Sequence, residues 1–211
     1  AQMRPHFIYN VLNDIKAMAK LNRTREIVDL VVSFSALMRS SLSTEEEFYT
    51  VAEEMDLVSK YVRLQNLRGA VAVDYESDVD EALLGFEVPR LILQPLVENA
   101  VLHGIRQIGS GTLTSTGEKE GDTLHVVVED DGAGMEEEAL ARLREVLDCG
   151  NNAHPDHSYG ISSVARRLYL VFNNNYRMTV DSELGMGTRV ELWIPALREE
   201  QINATLAHRM I

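Results

Sequence analysis

Val128-Glu129-Asp130-Asp131-Gly132-Ala133-Gly134-Met135 is the stretch from which the rest of this chain is read. It follows a run, Leu124 to Glu129, that reads as a strand, and it places carboxylates directly before two glycines. Glycines at that spacing let a backbone approach a ligand closely or take a positive φ. A carboxylate just ahead of them can accept a hydrogen bond from an exocyclic amine such as that of adenine. Alone, the same stretch also reads as a tight turn with acidic decoration.

Three other stretches bear on the same chemistry. Upstream, Leu96-Val97-Glu98-Asn99-Ala100-Val101-Leu102-His103-Gly104 lies in an apolar segment, residues 88 to 104, that reads as one helix with Pro89 in its first turn. Asn99 and His103 are four apart and are expected on one face. The Asn side-chain carbonyl is a hard ligand suited to Mg²⁺, although a polar helix face is more often merely solvated. Downstream, Ser158-Tyr159-Gly160-Ile161 opens a helix running to Phe172, and N–H groups at a helix start can bind phosphate. Gly185-Met186-Gly187-Thr188 separates two strands, Arg177 to Ser182 and Arg189 to Ile194, and by itself is a hairpin turn.

Around these stretches the pattern alternates as strand at Val71, Val73 and Tyr75 and again over Leu113 to Thr116, with a polar turn at Glu118 to Asp122. Glu136 to Leu147 reads as an amphipathic helix, Cys149 to Ser158 as a polar loop, and Leu197 to Ile211 as a peripheral helix. Helices over a largely antiparallel sheet make an α+β sandwich. The first third is helical instead. Ile8, Val11, Leu12, Ile15 and Ala19 repeat at helical spacing, as do Ile27, Leu30, Val31, Phe34, Leu37 and Met38. Thr50-Val51-Ala52-Glu53 is a capping box that starts a third helix. A helical hairpin cannot bury its apolar stripe alone, so pairing into a dimeric four-helix bundle is expected. The expected division is 1–69 helical, 70–196 the α/β sandwich and 197–211 a tail, with a hinge near residues 69 to 71.

Near the start, Arg4-Pro5-His6-Phe7-Ile8-Tyr9-Asn10 places a helix-kinking proline beside a histidine. An unprotonated imidazole nitrogen is a nucleophile near neutral pH. Asn10, one turn on, could bond the ring or a phosphoryl oxygen. A lone helical histidine is more often structural. His154-Pro155-Asp156-His157 has metal-ligating residue types, but its short spacing and the intervening proline favour a polar loop. His125 reads as structural or exposed, and Met135 and Phe172 as core.

The net charge of −13 argues against binding nucleic acid or an anionic lipid surface directly. The single cysteine, Cys149, permits no internal disulfide, which fits a reducing compartment. With 45% hydrophobic residues there is material for a core, yet no apolar run approaches the ~18 residues of a membrane span. The opening, Ala1-Gln2-Met3-Arg4-Pro5, reads as lying inside a helix, so a fragment whose upstream part is missing is expected.

In order along the chain, Glu-Asn-Ala-x-x-His-Gly (98–104), Asp-x-Gly-x-Gly-Met (130–135), Gly-Ile (160–161) and Gly-x-Gly-Thr (185–188) resemble the nucleotide-binding boxes of the GHKL superfamily, which has the Bergerat α/β sandwich. Pro-His-Phe-x-x-Asn-x-Leu-Asn (5–13) and the stretch from Glu53-Glu54 to Arg68 resemble LytS-type sensor histidine kinases. The resemblance implies ATP and Mg²⁺ as cofactors, with Asn99 as metal ligand and Asp130 on the adenine amino group. Gly132 and Gly134 would shape the adenine pocket, Gly160 would lie by the phosphates and Thr188 near adenine. His103, Met135, Ile161 and Gly187 complete the cofactor-binding set, and residues 136 to 159 would be the lid. His6 would accept the phosphoryl group and pass it to the receiver domain of a response regulator, of the LytTR type in many relatives. Phe7 stands where many kinases place an acidic base, so Glu98 or water would take the proton. Leu102, Asp131, Ser158, Ser163 and Ala165 depart from the usual residues. Two other readings remain: a degenerate kinase serving as a nucleotide-binding dimeric scaffold, and an anti-sigma type protein-serine kinase.

Overall fold

A computed structural model describes residues 5–42, 47–148 and 160–202. Helices α1 (Pro5–Lys20) and α2 (Thr24–Leu42) pack together, and α2 packs on α3 (Val51–Arg68). Val11, Met18, Leu30 and Leu64 form a small core at their meeting, flanked by Phe7, Ile15, Ile27, Phe34 and Leu67. Val11, Ile15, Ile27, Leu30 and Phe34 among them belong to the helical repeats legible in the sequence, whereas Leu12 and Val31 of those repeats are exposed. The turn between α1 and α2 is tight, with Asn22 in the left-handed region.

The capping box at α3 is present in both halves. The Thr50 hydroxyl accepts from the Glu53 N–H at 3.2 Å, and the Glu53 carboxylate accepts from the Thr50 N–H at 2.8 Å. Thr50→Ala removes the first of these and is expected to cost about 1 kcal/mol, read as a lowered denaturation midpoint at unchanged slope.

The sandwich sheet has the order β2-β4-β5-β7-β6, formed by Ala72–Val79 (β2), Ser110–Glu120 (β4), Thr123–Asp130 (β5), Gly187–Pro195 (β7) and Arg177–Glu183 (β6). Only β2 and β4 run parallel; the other neighbours are antiparallel. Strand side chains alternate between faces, so Leu124, Val126, Val128 and Asp130 share one face of β5. The matching residues of β7 are Thr188, Val190, Leu192 and Ile194. The valines, leucines and isoleucine among them are buried under helices α4 (Leu93–Asn99), α6 (Glu137–Asp148) and α7 (Ile161–Phe172). Asp130 is carried to the same covered face by this two-residue period.

Several expectations are corrected. The apolar segment 88–104 is not one helix. Glu87–Pro89 forms a strand, β3, that pairs with Phe48–Thr50 (β1), and Pro89 belongs to it. Helix α4 begins only at Leu93, continues as a π-helical stretch over Ala100–Ile105 and ends in the short α5 (Arg106–Ile108). Continuous burial had hidden the break, because a buried strand and a buried helix are equally apolar. The main core is continuous across residues 69 to 71. The main core runs from Tyr49, Val51, Met55, Val58, Tyr61 and Val62 into the sheet residues. Gly69 ends α3 in the left-handed conformation, and the Asn66 side chain brackets Val73 by two 2.8 Å hydrogen bonds. Helix α3 is therefore built into the sandwich as well as into the helical region. In the tail, Leu197 bridges to Glu87 and residues 199–202 are helical, with Ile202 buried. The loop from Cys149 to Ser158, with its histidines, and residues 203–211 lie outside the described residues.

Candidate functional site

Asp130 ends β5 with only 4% of its surface exposed. Its Oδ1 accepts the Gly132 N–H at 2.9 Å. Burial pushes its carboxyl up to about 6, the Gly132 hydrogen bond opposes this, and the neighbouring Asp131 and Glu129 charges add to it. A buried carboxylate with one short-range partner is a functional-site signature when it lies among converging backbone segments.

The glycines around it are there for space. A Cβ on Gly104 would come 2.3 Å from Asp130 Oδ1, and one on Gly132 would come 2.3 Å from the Gly104 carbonyl carbon. The Ala133 N–H bonds the Gly104 carbonyl at 3.2 Å, so the loop after β5 is seated on the end of the π-helical stretch. Gly134 (φ +66°) and Gly187 (φ +94°) both take positive φ, and their α-carbons lie against the backbone of Glu183 and Asp130 respectively. Gly104 and Gly132 thus close on the Asp130 carboxylate, Gly187 on its main-chain carbonyl and Gly134 on Glu183, which brings the π-helical stretch, the β5 loop and the β6–β7 turn together. Thr188 pairs with Asp130 across β5 and β7.

Ser182, which no sequence pattern singled out, ties this corner. Its hydroxyl donates to the Gly187 carbonyl at 2.7 Å, lies 2.9 Å from the Thr188 hydroxyl, and accepts the Met135 N–H at 3.0 Å. Met135 is half-buried against the core, as is Phe172. Asp131 points to β4 instead: its carboxylate accepts the Thr112 N–H at 2.7 Å. Its adjacency to Asp130 in sequence therefore translates into a structural, not a ligand-facing, position.

At the other end of the site, Gly160 starts α7 beside α4. A Cβ there would sit 3.2 Å from Asn99 Oδ1 and 3.2 Å from the Pro95 carbonyl. Among the described residues, Gly160 brings no side chain to cap this helix start. The half-buried Asn99 offers a side-chain oxygen beside it, a hard ligand of the kind that could hold Mg²⁺. Ile161 is buried in the core, which leaves its backbone rather than its side chain to a ligand.

His103 is exposed, and the expected alignment with Asn99 is altered. His103 lies within the π-helical stretch that begins directly after Asn99, where the turn is wider than in an α-helix. Glu98 is half-buried and accepts the Gln94 side-chain amide at 2.8 Å. Asn10 lies on α1 one turn after His6; the His6 side chain and residues 1–4 lie outside the description, and with them the expected kink at Pro5. His125 is far along β5 from the site, stacked on Trp193 at 4.5 Å and bonded to Glu191 at 2.8 Å, a structural role.

Comparison with known proteins agrees with this geometry. Residues 87–198 match the histidine kinase-, DNA gyrase B-, and HSP90-like ATPase family, and residues 1–71 match the histidine kinase family. The chain belongs to the histidine kinase-, DNA gyrase B-, and HSP90-like ATPase family. Within it, the chain is of the LytS type of sensor histidine kinase. It is 30% identical over 200 residues to the sensor histidine kinase YesM of Bacillus subtilis (strain 168), covering 94% of this chain and 33% of that protein. It is 30% identical over 196 residues to the sensor histidine kinase BtsS of Escherichia coli (strain K12), covering 92% and 32%. The chain thus spans about a third of the length of these curated relatives. The histidine kinase domain of the Erythrobacter litoralis EL346 blue-light activated kinase shares the fold, with a TM-score of 0.52 at 16% identity over 94% of this chain and 95% of that one.

Proposed function

We propose that this chain is the catalytic portion of a two-component sensor kinase that binds Mg-ATP and phosphorylates its own His6. The observation that carries the reading is the convergence of three backbone segments on the buried Asp130, Gly104 and Gly132 closing on its carboxylate and Gly187 on its main-chain carbonyl. Such a carboxylate, ringed by glycines that leave no room for side chains, suits the planar amino edge of adenine. Asn99 would hold the magnesium ion, which supplies charge neutralisation on the triphosphate when bound. The α7 start at Gly160 would meet the phosphates.

In the reaction one imidazole nitrogen of His6 attacks the γ-phosphorus in line. The N–P bond forms, the bond to the ADP oxygen breaks, and the imidazole proton leaves to Glu98 or to water. Asn10 would steady the ring or the phosphoryl group. The phosphoryl group then passes to an aspartate on a receiver domain, of the LytTR type by resemblance. Tyr9, Leu12, Val28 and Val32 on α1 and α2 are large apolar side chains more than half exposed, which supports pairing with a second copy of this chain. No described helix is long and apolar enough to cross a membrane. A position on the cytoplasmic side, anchored through a segment outside this stretch, is part of the proposal.

The test is incubation with γ-labelled ATP and Mg²⁺. Acid-labile label on the chain is expected, reduced at least 100-fold in His6→Gln with nucleotide binding intact. Nucleotide binding without label would favour a scaffold. Acid-stable label on an added protein would favour a serine kinase.

A further inference from the structure

Glu54 lies on α3, outside the nucleotide site, and is fully buried at 0% exposure. A carboxylate taken wholly out of water needs compensation. Here its oxygens accept three successive backbone N–H groups, those of Leu91, Ile92 at 3.0 Å and Leu93 at 2.8 Å. These are the residues that lead into α4. Leu91 stands in the left-handed region at φ +58°, a costly conformation for a branched side chain, and it persists only where its surroundings over-determine it.

A second helix is fastened at the same point. The Arg167 guanidinium, on α7, donates to the Arg90 carbonyl and to the Leu91 carbonyl at 3.5 Å. Glu54 and Arg167 therefore grip the two sides of one strained peptide segment. From there α4 runs to Asn99, about 9 Å further along its axis. Helix α7 runs back to Gly160, whose α-carbon lies against Asn99. The two helices that carry the cation- and phosphate-facing groups share one anchor, and its acceptor comes from α3, the helix that also packs in the N-terminal helical core.

We infer that Glu54 is a positioning residue: through Leu91–Leu93 and Arg167 it sets how Asn99 and Gly160 face each other, so the placement of α3 is read at the triphosphate end of the nucleotide site. The adenine end is held chiefly by the sheet, through β5 and β7, and meets this helical segment only beyond Asn99, at Gly104. This inference rests on the ATP-binding reading above.

The test compares Mg-ATP with adenosine, which reaches only the adenine end. Glu54→Gln keeps the shape but turns an amide NH₂ towards backbone N–H groups. It is expected to weaken Mg-ATP about tenfold in calorimetry while adenosine, followed by chemical-shift titration, changes less than twofold. Arg167→Gln, which leaves the Glu54 bonds in place, is expected to show the same selective loss, and it decides the matter if Glu54→Gln does not fold. Unchanged Mg-ATP affinity in a folded variant, or equal loss of both ligands, overturns the inference. Failure of the unaltered chain to bind Mg-ATP overturns the ATP-binding reading, a result distinct from any of these.

Discussion

Asp130→Asn is expected to weaken nucleotide binding roughly 100-fold while making the empty protein more stable. The two effects have one cause. The carboxyl is buried, and burial, assisted by Asp131 and Glu129, raises it to about 6 from the ordinary 3.8. Between these values the folded protein holds a proton that the unfolded chain has lost. The unfolded chain therefore binds fewer protons, and stability falls as pH rises from below 4 to above 6. At pH 7 the penalty is at most about 3 kcal/mol. Asparagine carries no charge and keeps an oxygen for the Gly132 N–H, so the variant should gain part of that energy as a higher unfolding midpoint. Binding moves the other way. With Oδ1 committed to Gly132, the amide NH₂ faces the adenine amino group, donor against donor. The loss of a charge-assisted hydrogen bond plus an unsatisfied donor is worth about 3 kcal/mol or more, roughly 100-fold in affinity. In the unaltered protein the same chemistry predicts affinity that holds above pH 7 and declines below about 6, as the acceptor becomes protonated. Calorimetric titrations across that range with thermal melts at each pH check both halves. A variant that binds ATP as well as the original, or melts earlier, would remove Asp130 from the site.

Gly187→Ala is expected to be the most disruptive small substitution on this face. A Cβ there would lie 1.8 Å from the Asp130 carbonyl oxygen and 2.9 Å from Asp131 Cα, on a backbone already at φ +94°. Both neighbours are main chain in the central strand and its loop, so neither can move aside by changing a rotamer. The strain and the overlap together should cost about 3 kcal/mol or more, lowering the melting temperature by roughly 6–12 °C and eliminating nucleotide binding. Gly185→Ala supplies the comparison. Gly185 also has positive φ (+80°), but a Cβ there meets nothing within 4 Å. Only the backbone penalty of about 1 kcal/mol applies. Equal costs for the two variants would show that left-handed geometry alone, and not close approach to Asp130, explains the glycine at 187.

Much of this was open to reading before any coordinates. Periodicity marked α1, α2 and α7, the capping box marked the start of α3, and alternation marked β4 to β7, because these signals are local and repeat with the element's own geometry. The ordered glycines and Asp130 mark a place where backbone packs closely on an acid, because glycine spacing and a preceding acid are chemical statements made within a few residues. What failed were the signals that need a partner. Pro89 was misplaced into a helix because a buried strand and a buried helix look alike in one dimension. The π-helical stretch after Asn99 leaves no compositional mark. Ser182 acts only because β6 lies beside the β7 turn.

By itself, then, the amino-acid order determined most of the helices and strands, the two-residue period that carries Asp130 to the covered face of β5, and the family. Tertiary structure alone decided the break within 88–104, that α3 belongs to both the helical region and the sandwich, that Asp131 turns to β4 while Asp130 stays among the glycines, and that Glu54 closes on backbone groups almost forty positions away. The physical reason is that a buried charge is tolerable only where several donors converge on it, and convergence of distant donors is a property of the packed chain, not of any window of its sequence.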